Sequence, residues 1–155
     1  MNKHSAGFTL LELIVVLVIA GLFVALASPS MRGLYDSMQY RDAVRGVLSA
    51  AKNARRTAMA QGSPVDLVID TDRKTYWLTE HAGPQSASDA PAIDERLSLE
   101  VTYAAEMSPG NGLAAIRFFP LGGSSGGEIS IRRPSGVGTM LRVDWLLGEV
   151  QQEPL

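Results

Sequence analysis

Residues 8–27 read FTLLELIVVLVIAGLFVALA, an apolar run whose only charge is Glu12. A helix of that length spans roughly 30 Å at ~1.5 Å per residue, which matches the hydrocarbon layer of a bilayer. Three readings compete. The run is a secretory signal, with Lys3 in its charged leader and Ala25-Leu26-Ala27 as a small-x-small cleavage site; or it is a plain membrane anchor; or it is a helix that inserts in a membrane but is built to leave it. Glu12 separates them. A carboxylate there costs on the order of 2.5–3.5 kcal/mol if it reaches the bilayer centre, and neither a signal nor an anchor gains from that cost. An acid inside such a run therefore calls for a partner. Physics alone still leaves open that Glu12 snorkels to the interface.

Beyond the run, Pro29 would ordinarily break or kink a helix. After it Tyr40, Val44, Val47, Ala51, Ala54 and Ala58 recur at spacings of four and three, which is one helical face. Arg41, Arg45, Lys52, Arg55 and Arg56 take most of the rest. The stripe has no continuation before Tyr40, so the expectation is that residues 30 to about 38 protrude and that the helix packs on a sheet from about Tyr40 to Ala60. Gly62, ahead of Pro64, is its cap.

The periodicity then changes to two. Val65, Leu67 and Ile69 alternate with Asp66 and Asp70; Asp70-Thr71-Asp72-Arg73 is a turn and Lys74 to Glu80 the returning strand. The stretch 81–96, HAGPQSASDAPAIDER, has the composition of a mobile loop. Leu97 to Tyr103, Leu113 to Phe119, Glu128 to Arg132 and Thr139 to Leu146 read as further strands. A long helix followed by strands alone predicts an α+β fold, with the helix on antiparallel sheets.

Composition excludes several kinds of chemistry. The 155 residues are 46% hydrophobic and 19% charged with a net charge of −2, which argues against a globally basic nucleic-acid binder. The chain has no cysteine, hence no disulfide, iron–sulfur cluster or thiol catalysis. His4 and His81 are too few and too far apart for a histidine metal site. Asp70 and Asp72 have an acidic spacing found in calcium loops but lack the following glycine and distal glutamate, so a solvated turn is expected. Gly122-Gly123-Ser124-Ser125-Gly126-Gly127 lacks the lysine and hydroxyl ending of a phosphate loop and reads as a hairpin loop. Trp77 and Trp145 lie in strand-like runs and are expected to pack on the core or a sheet face. Nothing groups a nucleophile, a base and an orienting residue. No catalytic residue, metal or cofactor is expected.

Ser5-Ala6-Gly7-Phe8-Thr9-Leu10-Leu11-Glu12 resembles the cleavage and methylation site of type IV pilins and type II secretion pseudopilins. The resemblance implies cleavage by a prepilin peptidase between Gly7 and Phe8 and methylation of the new Phe8 amine. It also implies an assembly role for Glu12, whose partner would be the N-terminal amine of a neighbouring subunit. Pro29 falls where that family commonly has a proline. Ala54-Arg55-Arg56-Thr57-Ala58, Val65 to Ile69, Phe118 to Gly122 and Gly127 to Ile131 resemble the H-type minor pseudopilin domain, which also occurs in FimT-like minor pilins.

The implied organisation is a leader at 1–7, a transmembrane and assembly helix at 8–29, an amphipathic continuation at 30–61 and a β-rich body at 62–155 of pilin-like fold. The implied location is the bacterial inner membrane, single-pass, with the body in the periplasm. The implied partners are the major and other minor pseudopilins, the prepilin peptidase and an inner-membrane assembly platform. The implied function is a place in the tip complex of a periplasmic pseudopilus that helps export folded proteins. The alternative is a FimT-like minor pilin for pilus assembly or DNA uptake. Arg132, Arg133 and Arg142 could contact phosphates. However, Glu149 stands in Gly148-Glu149-Val150-Gln151 where DNA-uptake pilins typically carry an arginine, which argues against nucleic acid.

Charge is uneven as well. Six cations against Asp36 and Asp42 give residues 32–56 a balance of +4, whereas residues 66–106 carry −6. A positive stem on one subunit could thus meet a negative body on the next.

Overall fold

The computed structural model describes residues 9–80, 90–104 and 112–155, with the side chains of 24–34 excepted. Helix α1 (Leu10–Gln61) precedes seven strands: β1 (Val65–Asp70), β2 (Thr75–Thr79), β3 (Ser98–Tyr103), β4 (Leu113–Phe118), β5 (Gly127–Arg132), β6 (Gly138–Val143) and β7 (Val150–Pro154). The chain divides into two units, residues 1–37 and 38–155.

In the second unit, two antiparallel sheets with strand orders β2-β1-β4 and β3-β5-β6-β7 bury one face each with α1. Tyr40, Val44, Val47, Ala51, Ala54 and Ala58, the expected helical stripe, are all buried. They share a core with Leu67 and Ile69 of β1, Ile116 and Phe118 of β4, Ile129 and Ile131 of β5, and Leu141 and Val143 of β6. The alanines remove side-chain volume where the helix approaches the sheets, and Gly46 removes more: a Cβ there would collide with the Tyr76 hydroxyl. Burial raises the pKa of that phenol above its ordinary value of 10.0. The buried stretch starts at Tyr40, whose hydroxyl lies 2.6 Å from Thr139 Oγ1 and whose ring is covered by Arg133 at 4.5 Å. Gly62, at φ 69°, ends the helix, its N–H donating to Ala58 O.

Several expectations need correction. β1 is the middle strand of its sheet and is buried on both faces, so Asp66, Val68 and Asp70 are inside along with Val65, Leu67 and Ile69. The Asp70 side chain is not solvated: its Oδ1 accepts the N–H groups of Asp72 (3.0 Å) and Arg73 (2.8 Å) and so organises the turn. The glycine-rich run does reverse the chain, with an antiparallel bridge between Phe118 and Ser124, but it does not join β4 to β5 as a hairpin, because those strands belong to different sheets. Gly126 and Gly127, at φ 72° and 151°, redirect the chain there, and a Cβ on Gly127 would lie 2.8 Å from Thr102 O. β6 stops at Val143, since Asp144 Oδ1 accepts the N–H groups of Leu146 and Leu147 and turns the chain. β7, an edge strand ending in proline, was not foreseen; its polar sequence QQEP has weak strand propensity.

Of the loop expected to be mobile, 81–96, residues 81–89 lie outside the described residues. The remainder is held against β2: Ile93 is buried, its N–H donates to Lys74 O (2.7 Å), and Pro91 O accepts the N–H of Tyr76. Next to it the Arg96 side chain, and then its backbone N–H, hold the Asp94 carboxyl at a pKa of about 2. A folded-state value below the ordinary 3.8 means that the pair stabilises the fold above the ordinary value and loses that contribution as pH falls through about 2. An NMR titration is expected to place the Asp94 midpoint near 2 and to return it toward 3.8 in Arg96→Ala.

Candidate functional site

The first turn of α1 carries the acid singled out in the sequence. Thr9 caps the helix: its Oγ1 accepts the Glu12 N–H at 3.2 Å, and its carbonyl accepts the same N–H at 3.1 Å. Thr-x-x-Glu is the sequence form of a capping box, and an acid in the first turn also suits the positive end of the helix dipole. The bonds seen are to the Glu12 backbone N–H, so the helix start at Thr9 is a local feature that the sequence reading missed, although the Thr9 spacing signals it. The Glu12 carboxylate is exposed.

Around it the helix has no polar face. Seven consecutive residues from Leu13 to Ile19 are exposed and apolar, which covers every direction of a helix with 3.6 residues per turn. Such a surface requires lipid or other apolar helices around it. Among the described residues no helix is long and apolar enough to cross a membrane. The described side chains of the apolar run end at Phe23, so its last four positions lie outside them. Gly7 and Phe8 also lie outside the described residues. Pro29 falls within the bounds of α1, but its side chain is not described.

The body does not assemble the basic cluster considered for phosphate. Arg142 is paired with Glu128 (3.0 Å) and Glu153 (3.3 Å). Arg133 lies on the Tyr40 ring, and Arg132 sits opposite Gly138 at the other end of the β5–β6 ladder from Arg142. The acidic run is also weaker at the surface than its count suggests. Asp66 and Asp70 are buried and Asp94 is paired, leaving Asp72, Glu80, Glu95 and Glu100 exposed among the described residues. Asp66 is held by Arg117, two hydrogen bonds of 2.7 and 2.8 Å that also raise the arginine's pKa. Among the described residues no three His, Cys, Asp or Glu side chains form a metal-binding group. His81 lies outside them.

Trp77 is half-buried on β2 opposite Val68, as expected for a sheet-face residue. Trp145 is not packed; it is 68% exposed in the turn after β6. Leu146 and Leu147 are exposed beside it, and Leu121 is 99% exposed in the loop after β4. These two loops are fastened together: Ser124 N–H donates to Trp145 O (2.8 Å), and Arg55 Nε donates to Gly122 O (3.2 Å). Gly148, at φ 60°, lies so close to Gly122 O that a Cβ would collide with it. Alongside is an open groove of about 450 Å³ lined by Ser49, Lys52, Arg55, Arg56, Gly148, Glu149 and Val150.

Two family profiles match the chain: the prokaryotic N-terminal methylation motif over residues 2–28, and type II transport protein GspH over residues 43–147. A relative, type II secretion system protein H of Xanthomonas campestris pv. campestris, is 30% identical over 157 residues that cover 100% of this chain and 87% of the relative. Among solved structures the chain is similar to the minor pseudopilin EpsH from the type 2 secretion system of Vibrio cholerae, with TM-score 0.55 and 11% identity, covering 75% of this chain and 97% of that one. It is also similar to the type IV minor pilin FimU of Pseudomonas aeruginosa, with TM-score 0.53 and 14% identity, covering 78% and 92%. At these identities the two structures establish the fold, and it is the expected pilin-like α+β arrangement.

Proposed function

Because the chain belongs to the type II transport protein GspH family, we propose that it serves as a minor pseudopilin of a type II secretion system, a structural subunit rather than an enzyme. The observation that carries this reading is a helix apolar on every side, with one acid in its first turn, in a chain whose other unit is a compact β-rich body. An isolated anchor would need no acid, and a soluble protein would not expose such a helix. The subunit waits in the inner membrane as a single pass with its body in the periplasm, then joins other pseudopilins near the tip of a short fibre that helps move folded proteins outward. An assembly platform in the same membrane extends the fibre.

Processing follows the N-terminal motif. A prepilin peptidase cuts between Gly7 and Phe8, where a residue without a side chain lets the enzyme grip extended backbone, and methylates the Phe8 amine. Glu12 then pairs with the amine of a neighbouring subunit, and Pro29 marks the end of the membrane segment. The mass of the mature chain purified from membranes is expected to correspond to loss of residues 1–7 plus one methyl group. Loss of residues 1–27 instead would mean a secreted protein and overturn the reading. The DNA-uptake alternative is less well supported, because Glu149 lies in the cationic groove and would repel phosphate.

A further inference from the structure

We propose that the end of the body formed by the loops after β4 and β6 and the last turns of α1 docks an acidic segment of a different polypeptide. Its apolar side chains would lie on Leu121, Trp145, Leu146 and Leu147, and its carboxylates in the groove on Lys52 and Arg56. The inference deepens the proposed function, on which it rests, by giving the assembling subunit a specific contact outside the membrane.

The apolar half comes from loops whose backbone is already satisfied. Phe119 N–H donates to Gly123 O, Gly122 N–H to Phe119 O, Gly148 N–H to Asp144 O and Asp144 N–H to Glu149 O, all at 2.8–2.9 Å. The loops are thus held in shape while their large side chains point to solvent, an arrangement that costs solubility and lowers the ordering cost of binding. Tryptophan and arginine are also the residues that most often dominate binding surfaces.

The charged half selects the partner. Arg55 is engaged with Gly122 O, whereas Lys52 and Arg56 line the groove exposed and without an ion-pair partner among the described residues. A carboxylate placed there completes them, and mismatched charge would be penalised. Glu149 lines the same groove, so the surface suits one or two carboxylates set on Lys52 and Arg56 rather than a dense polyanion or an anionic lipid surface, which would press negative charge on Glu149 as well. A second copy of this chain is only half complementary. Of its exposed acids in the body, Asp72, Glu80, Glu95 and Glu100 lie in a region, residues 65–104, that exposes no large apolar side chain among the described residues. Asp42 lies on α1 between the exposed cations Arg41 and Arg45, and Glu149 lines the groove itself. The Leu10–Phe23 segment, with Glu12, is committed to the membrane on the proposed reading. A different chain that offers both features is the better fit.

The test is photo-crosslinking of the full chain in cells that carry the secretion apparatus, with a benzophenone amino acid at Leu121 or, as a control, at Ser135 in the turn between β5 and β6. The expected adduct at Leu121 contains a different chain, its crosslinked peptide bearing Asp or Glu within a few residues of the attachment point. Its yield should fall about tenfold in the exposed double reversal Lys52→Glu/Arg56→Glu and return in Lys52→Arg/Arg56→Lys. An adduct with a second copy, an adduct with lipid, no adduct, equal crosslinking to the same partner from Ser135, or a yield indifferent to reversal would each overturn the proposal. Correct processing at Phe8 in a sample with no Leu121 adduct would overturn the docking surface alone. Failed processing would overturn the secretion reading and the docking surface with it.

Discussion

Glu12→Val is expected to leave the protein in the membrane fraction and to reduce its co-purification with other pseudopilins by about a hundredfold, the effect of roughly 3 kcal/mol lost when a buried pair is broken. Insertion itself should not suffer, because an acid that costs on the order of 2.5–3.5 kcal/mol in hydrocarbon has been removed. Assembly should suffer because, on the proposed pairing, the neighbour's amine would be left as an uncompensated charge in an apolar bundle. On the same pairing, misaligned packing would be penalised in the same way, so the pair would fix register more than it adds affinity.

The helix cap suggests a competing account of Glu12, and conservative variants separate the two. Glu12→Gln keeps a side chain able to serve the capping box with Thr9 but removes the charge. If the acid acts through its charge, the glutamine variant assembles as poorly as the valine variant and Glu12→Asp retains part of the function. If it acts only through the cap, glutamine restores assembly. Normal incorporation of Glu12→Val in the same co-purification would refute both accounts.

The helix and its buried stripe could be read from the sequence because each rests on a local period. Tyr40 to Ala58 alternates at four and three residues, and the stripe begins where Tyr40 meets Thr139. The existence of β1 to β6 was legible for the same reason, down to the β1–β2 turn at Asp70, whereas the polar β7 was not. The features that were misread depend on which strand sits beside which. Nothing local tells that β1 is a middle strand, so Asp66 looks like an exposed alternate although its partner Arg117 lies fifty-one positions away. Likewise the run from Gly122 to Gly127 looks like a hairpin until β4 and β5 are placed in separate sheets.

The exposed surface at Leu121 and Trp145 was hidden for a related reason. Trp145-Leu146-Leu147 looks like the continuation of a strand, and only the Asp144 side chain, by capturing two N–H groups, turns those residues outward. The N-terminal methylation motif, which the family profile places at residues 2–28, was legible from sequence alone. The capping role of Thr9 needed the helix start to be placed first.

Arg117→Ala is expected to destabilise the body by about 3–5 kcal/mol, a large share of the roughly 5–15 kcal/mol that holds an ordinary domain together. Asp66 is 1% exposed in the middle strand of its sheet, and Arg117 reaches it from the adjacent strand with both oxygens engaged. Removing the guanidinium leaves a carboxylate with neither water nor a countercharge. The reverse change, Asp66→Ala, should cost less, because the Arg117 side chain is 31% exposed and can reach solvent. Replacing both, as Asp66→Val with Arg117→Met, should recover most of the loss, since apolar residues of similar volume often substitute for a buried pair without penalty. Urea unfolding of the purified chain, followed by the fluorescence of half-buried Trp77, measures all four proteins. The expected order is a lower midpoint for Arg117→Ala than for Asp66→Ala, and a double variant closer to the parent than either, with unchanged slopes. Equal midpoints for the two single variants would mean that the pair is a surface contact, and that the burial of β1 on both faces does not govern the body's stability.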